Sequence, residues 1–313
     1  MKRIFSAFLA ALLLLGTLSG CGAPAPAADG KLTVVATLFP YFDFARAIGG
    51  ERVHATMLLA PGRESHSFEP TPADVIRLSE AKIFLYNGGE AEVWVDDVLE
   101  GLPENGQVRR RMMDFVPTLE EELVEGMEAE PEEDSDEIVY DEHIWTSPLN
   151  AQLLAEEVAA ALSEADPEGA DYYAERLTAY LAELSEIDET FRAVVAGGSH
   201  RTMVFGDRFP LLYFCKTYGL AYRAAFQGCS GDTEPSAKTL AYLIDKVKSE
   251  HIPVVYRMEL SSGEISNAIC ESTGAKPLVF HSCHNVSSAE FESGISYLDL
   301  MRQNIEALKE GLK

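Results

Sequence analysis

Two rounds of strand and helix alternation, separated by one uninterrupted helical pattern, constrain this chain more than any other feature. In the first round, Leu32–Leu38, Val53–Leu59 and Lys82–Tyr86 are apolar, largely β-branched runs, the last two closed by Pro61-Gly62 and Asn87-Gly88-Gly89. Helical patterns over Pro40–Ile48, Thr71–Glu80 and Glu92–Leu99 lie between and after them. In the second round, Thr202–Phe205, Leu220–Phe226, Ile252–Tyr256 and Pro277–Phe280 read as strands. Pro210–Tyr218, Ala237–Glu250, Gly263–Ser272 and Tyr297–Leu312 read as the intervening and closing helices. Alternation of this kind gives mostly parallel sheets covered by helices. Between the rounds, the amphipathic Asn150–Glu164 is followed by a helical pattern over Pro167–Val195, closed by Gly197-Gly198. At 1.5 Å per residue that second helix is about 40 Å long, enough to join two lobes. The expected fold is therefore α/β: a lobe over 32–166, a linking helix over 167–196 and a second lobe over 197–313.

The N-terminal residues read as a processing signal. Lys2 and Arg3 precede the apolar Phe8–Leu15, and Leu18-Ser19-Gly20-Cys21 is a lipoprotein cleavage box. Residues 1–20 are thus an expected signal peptide, Cys21 the lipidated residue and 21–31 a flexible tether to the membrane surface. The expected location is extracytoplasmic and lipid-anchored. A formal charge of −26 argues against nucleic acid, whose binding needs a basic face. The acidity is not spread evenly. Residues 119–142 hold 13 acidic side chains among 24 and no Lys or Arg, which reads as a solvated loop. Four cysteines besides Cys21 remain. Cys215 and Cys270 sit in helical patterns as buried thiols, whereas Cys229 and Cys283 sit in loops and form the expected disulfide in an oxidising compartment.

Seven histidines separate by position. His54, His200 and His251 have no special setting. His66, Asp207, Glu259 and His281 lie just past strand ends, where open α/β sheets bind ligands, with His284 close behind. His143 lies at a loop-to-helix junction able to reach the same crevice. Imidazoles gathered in this way suit a tetrahedral zinc ion.

The segments ESHSFEPTPADVIRLSEAKIFLYNGGEAEVWVDDVL, DEHIWTSPLNAQLLAEEVAAAL and SYLDLMRQNIEAL resemble the metal-specific solute-binding lipoproteins of zinc and manganese ABC importers, over nearly all of the chain beyond the signal. The resemblance implies two α/β lobes, one long helix and a metal site in the cleft between them. It implies His66 and His143 as ligands, and His281 at the place of the family's final ligand, with His284 a weaker alternative. The family's remaining ligand falls where this chain has Gly206, so that Asp207 takes the role or else pairs with Arg208 or caps the following helix. Glu259 and Arg208 are implied as supporting residues around the site, while Trp94 and Trp145 read as core. A nitrogen-rich set leans to Zn2+, with Mn2+ possible. The implied partners are a membrane permease and its ATPase, with the binding protein a monomer and no enzyme. Two other readings are a zinc hydrolase, which would need an open coordination position and a base such as Glu259, and a surface adhesin. Against the hydrolase, no HExxH motif or nucleophile elbow is present.

Overall fold

The computed structural model describes residues 30–65, 68–103, 105–127, 138–228 and 235–313, and Leu32–Lys313 form one compact unit. The expected signal peptide, Cys21, His66 and Cys229 lie outside the described residues. No helix among those described is long and apolar enough to cross a membrane.

The first sheet contains β1 (Leu32–Ala36), β2 (Val53–Met57), β3 (Ile83–Tyr86) and β4 (Val108–Arg111), in the order β2-β1-β3-β4 and parallel throughout. The second repeats the plan, with β5 (Thr202–Phe209), β6 (Ala221–Gln227), β7 (Val254–Arg257) and β8 (Lys276–Val279) in the order β6-β5-β7-β8. The central strands are buried on both faces, which is why their sequences are continuous apolar runs rather than alternating ones. In each sheet the order reverses beside its first strand, so a crevice opens beyond the carboxyl ends of β1 and β5.

Helices α1 (Phe39–Gly49), α2 (Pro72–Glu80) and α3 (Trp94–Gly101) belong to the first lobe. Helix α2 starts on a capping box, Thr71 with Asp74, as the TPAD sequence implies. Helix α4 (Pro148–Ala165) leads to the long α5 (Ala170–Gly197), which begins after a 3-10 turn over Pro167–Gly169 rather than at Pro167 itself. Helices α6 (Leu212–Tyr218), α7 (Ala237–Ser249), α8 (Glu264–Thr273), α9 (Ser288–Ser293) and α10 (Tyr297–Gly311) complete the second half.

The long helix is not an isolated strut. It packs against α1, α4 and α10, and one continuous apolar core runs from Val34 and Phe39 through Trp145 and Phe191 to Phe205, Phe280 and Leu308. Close-packed interiors resist deformation, so both halves share a single rigid frame. Asp43 of α1 reinforces it: its buried carboxylate accepts the Tyr297 N–H at 2.8 Å and the Arg46 Nε–H at 2.7 Å.

Three expectations need correction. The acidic stretch is not wholly solvated: Glu120 pairs with Tyr140 in an antiparallel bridge, Leu119, Val124 and Met127 pack on the core, and Glu122 meets Lys216 at 2.5 Å. Its residues 128–137 lie outside the described set. The expected Cys229–Cys283 disulfide finds no support at Cys283, which is a free, fully buried thiol whose Sγ faces the His281 carbonyl inside the core; Cys229 lies outside the described residues. Strand β5 runs on to Phe209, and α6 starts at Leu212 rather than near Pro210.

Candidate metal site in the cleft between the sheets

A cleft of about 360 Å³ lies beyond the carboxyl ends of the second sheet, lined among others by Glu64, His143, Asp207, Arg208, Glu259 and His284. The first lobe contributes Glu64 and His143 to the lining, and the Asn-Gly turn after β3 holds the segment that carries His143. Buried Asn87 accepts the Tyr41 hydroxyl proton and donates from Nδ2 to the Glu142 carbonyl at 3.0 Å. Gly89 has a left-handed φ of 103°, and a Cβ there would lie 2.5 Å from the Glu142 carboxylate. The turn therefore clamps the chain immediately before His143.

His143 is buried, and its Nδ1 lies 3.3 Å from Asp141 Oδ1, which also accepts the His143 N–H at 2.8 Å. A neutral imidazole that donates from Nδ1 carries its lone pair on Nε2, the arrangement in which carboxylates orient metal-binding histidines. Burial alone pulls the His143 pKa down, but the charge and hydrogen bond of Asp141 outweigh it, and the net direction is upward. Trp145 is more than core. Its ring stands edge-on to His143 with centroids 5.6 Å apart, and its indole N–H donates to the Ser282 carbonyl at 2.8 Å.

The loop after β8 carries the second imidazole. Glu259, just past β7, accepts from Ser282 N at 2.9 Å and from Ser282 Oγ at 2.8 Å, and Ser282 Oγ in turn accepts the His284 N–H at 3.3 Å. Glu259 thus supports the loop; its carboxylate oxygens are engaged by Ser282, not by Arg208. Asn285 donates from Nδ2 to the carbonyls of Ala60 and Arg63 at 2.9 and 2.8 Å, tying this loop to the segment that leads into His66. His284 lines the cleft, and its Nε2 is buried without a hydrogen-bond partner among the described residues. Burial lowers the His284 pKa, with Glu259 and Glu64 opposing and His143 and Arg208 adding to the fall. A neutral imidazole results, the form that binds metal.

His281 is directed elsewhere. Its backbone is held by Asn304 of α10 through its N–H at 2.7 Å and its carbonyl at 2.8 Å, and its Nε2 lies 3.2 Å from Gln303 Oε1. It does not line the cleft. Cys283 has a positive φ of 62°, and this reversal of the chain separates the directions of the two histidines. The geometry therefore favours His284 over His281, the opposite of the order given by position in sequence.

Gly206 is glycine for a steric reason. A Cβ there would lie 2.6 Å from both the Cα and N of Ser266 in α8, so no side chain of any kind fits. The neighbouring Asp207 lines the cleft, and both of its carboxylate oxygens accept backbone N–H groups. β5 is irregular between Phe205 and Arg208, and Asp207 locks that irregularity, accepting Arg208 N–H at 2.9 Å and Met258 N–H at 3.1 Å. The expected Asp207–Arg208 side-chain pair gives way to Arg208 with Glu64, 3.5 Å across the cleft. Glu64 was missed by sequence reasoning, although its place two residues before His66 was the available signal. Among the described residues, no three His, Cys, Asp or Glu side chains converge closely enough to hold an ion by themselves; His66 is not among them.

Paired parallel sheets, a shared rigid frame and imidazoles at the carboxyl ends of the strands define a two-lobed solute-binding protein. The chain belongs to the ZnuA family, described as zinc-uptake complex component A, periplasmic, which matches residues 34–311. It is 29% identical to the high-affinity zinc uptake system protein ZnuA of Bacillus subtilis over 97% of this chain and 96% of that protein. It is 28% identical to the zinc-binding lipoprotein AdcA of Streptococcus pneumoniae, covering 90% of this chain but 56% of AdcA. The Zn(II)-bound ZnuA-like domain of that AdcA superposes with a TM-score of 0.75 at 25% identity, covering 90% of this chain and 99% of the domain. The metal-dependent lipoprotein YcdH of Bacillus subtilis superposes with a TM-score of 0.77 at 28% identity, covering 90% and 100%. This is a family of transport components, so the hydrolase reading falls.

Proposed function

We propose that this chain is the extracytoplasmic binding component of a metal ABC importer, capturing Zn2+ and passing it to a membrane permease served by an ATPase. The observation that carries this reading is the pair His143 and His284 in one cleft, the first oriented by Asp141 and the second with a buried Nε2 lacking a partner among the described residues. Those two imidazoles and that of His66, which follows in sequence the segment bonded to Asn285, form the proposed ligand set. Two of the residues expected from sequence are not retained in it: His281 is engaged by Gln303, and Asp207 holds the backbone. Three nitrogens favour Zn2+ over Mn2+. No fourth protein ligand is assigned, and Gly206 itself offers no side chain to the cleft. Within this reading the protein works as a monomer, lipid-anchored through Cys21 on the outer side of the cytoplasmic membrane.

The rigid frame bears on mechanism. Capture needs the ligands in place before the ion arrives, because ordering them on binding would cost affinity. Asn285, Glu259 and Trp145 keep the His284 loop ordered by bonds to three different segments. The test is a competition titration of metal-stripped protein with zinc and a chromophoric chelator, alongside thermal unfolding. One tight zinc per chain and a raised unfolding temperature are expected, since only the folded state assembles the site. Absence of both would refute the reading.

A further inference from the structure

We infer that Arg208 is a built-in rival of the metal, a fixed positive charge that sets zinc affinity below what the imidazoles alone would give. The inference rests on the zinc-binding reading above. Arg208 lines the same cleft as His143 and His284, with its side chain 25% exposed. A cation is the last group expected beside a site for a divalent ion, because like charges in a partly buried cleft repel over many ångströms.

The fold puts it there by a specific device. The irregularity in β5 after Phe205 turns the strand, Gly206 passes against the backbone of α8, and Asp207 fixes the bend through two backbone N–H groups. Bulges of this kind re-aim the next side chain, and here that side chain reaches Glu64 on the opposite lobe, 3.5 Å away. Glu64 stands on the segment leading into His66, so the ion pair bridges the two segments that must accept the metal. Of the other carboxylates lining the cleft, Asp207 is committed to the strand and Glu259 to Ser282, while Glu264 stands at the start of α8.

Two consequences follow. In the metal-free protein Arg208 partly neutralises the acidic cleft and holds Glu64. In the loaded protein its charge lies close to that of the ion, which weakens retention and favours transfer to the permease. A transport protein needs both tight capture and release, and a fixed charge supplies the second without moving the rigid frame.

The test uses the full chain with zinc as the probe, by chelator competition and by stopped-flow release. Arg208→Gln and Arg208→Met remove the charge, and Arg208→Lys keeps it without the planar fork. Both neutral variants are expected to bind zinc about tenfold tighter or more, mostly through slower release, the scale set by removing one like charge across such a cleft. The lysine variant is expected within about threefold of the parent, since the charge is retained. The unfolding temperatures of the metal-free forms establish that each variant folds, and two neutral substitutions guard against the failure of one. Neutral variants that bind zinc equally or more weakly, while folded, would overturn the inference and leave the zinc-binding reading standing. A parent chain that binds no zinc would remove both.

Discussion

Glu92 offers a test of the frame that needs no metal. It is only 6% exposed, behind the Asn-Gly turn that clamps the His143 segment. One carboxylate oxygen accepts the Gly88 N–H at 2.8 Å, and the Thr37 hydroxyl and the Asn87 N–H also favour the charged carboxylate. Burial, opposed by these hydrogen bonds and aided by the charge of Glu142, raises its pKa from 4.5 to about 7. A raised carboxylate binds its proton more tightly in the folded than in the unfolded state. Between the two pKa values the folded state holds more protons, so stability falls as pH rises and levels off above about 7. From pH 5 to 8 the loss covers roughly two pH units at 1.36 kcal/mol each, or about 2.5 kcal/mol. Glu92→Gln keeps an acceptor for Gly88, offers Thr37 a donor and has no charge to bury. Urea unfolding of metal-free parent and variant should therefore show the parent losing about 2.5 kcal/mol more than the variant between pH 5 and 8. Parallel stability curves for the two proteins would refute the burial argument.

Other substitutions probe the site's construction. Gly206→His, which restores an imidazole at the family's position, should destabilise the fold by about 1–3 kcal/mol, because its Cβ meets the Ser266 backbone, and calorimetry would show it. Asn285→Ala leaves the Ala60 and Arg63 carbonyls without their side-chain donor, so it should cost about 2 kcal/mol in denaturant titration and weaken zinc binding by loosening the His284 loop. Deleting residues 128–137 should leave zinc affinity within about twofold in competition titration, since the anchored ends of the acidic stretch make their contacts without it.

Much of the fold was legible because parallel sheets announce themselves as short, fully apolar runs, and the long helix as an unbroken pattern. β4 escaped because Val108–Arg111 carries three arginines. It is an edge strand, and Arg110 is neutralised there by Glu157 and Glu164 of α4, a long-range arrangement that local sequence does not carry. The cleft was legible at His143, which lines it and which the motif places next to Asp141 and Trp145. It was not legible after β8. His281 and His284 follow the same strand three residues apart, and what separates them is the left-handed turn at Cys283, a conformation that a non-glycine residue does not advertise. Asp207 was ambiguous for a related reason: a carboxylate at a strand end looks like a ligand, and the two backbone N–H groups it accepts from show only in the folded chain.

The central claim is that zinc is held by the imidazoles of the cleft, with His284 rather than His281 completing the set. Competition titration of zinc against His143→Ala, His284→Ala and His281→Ala tests it most directly. Loss of one nitrogen ligand should weaken zinc binding at least a hundredfold in the first two variants, about 2.7 kcal/mol, whereas His281→Ala should bind within about threefold of the parent. If His281→Ala loses zinc while His284→Ala binds as tightly as the parent, the assignment of the cleft is contradicted.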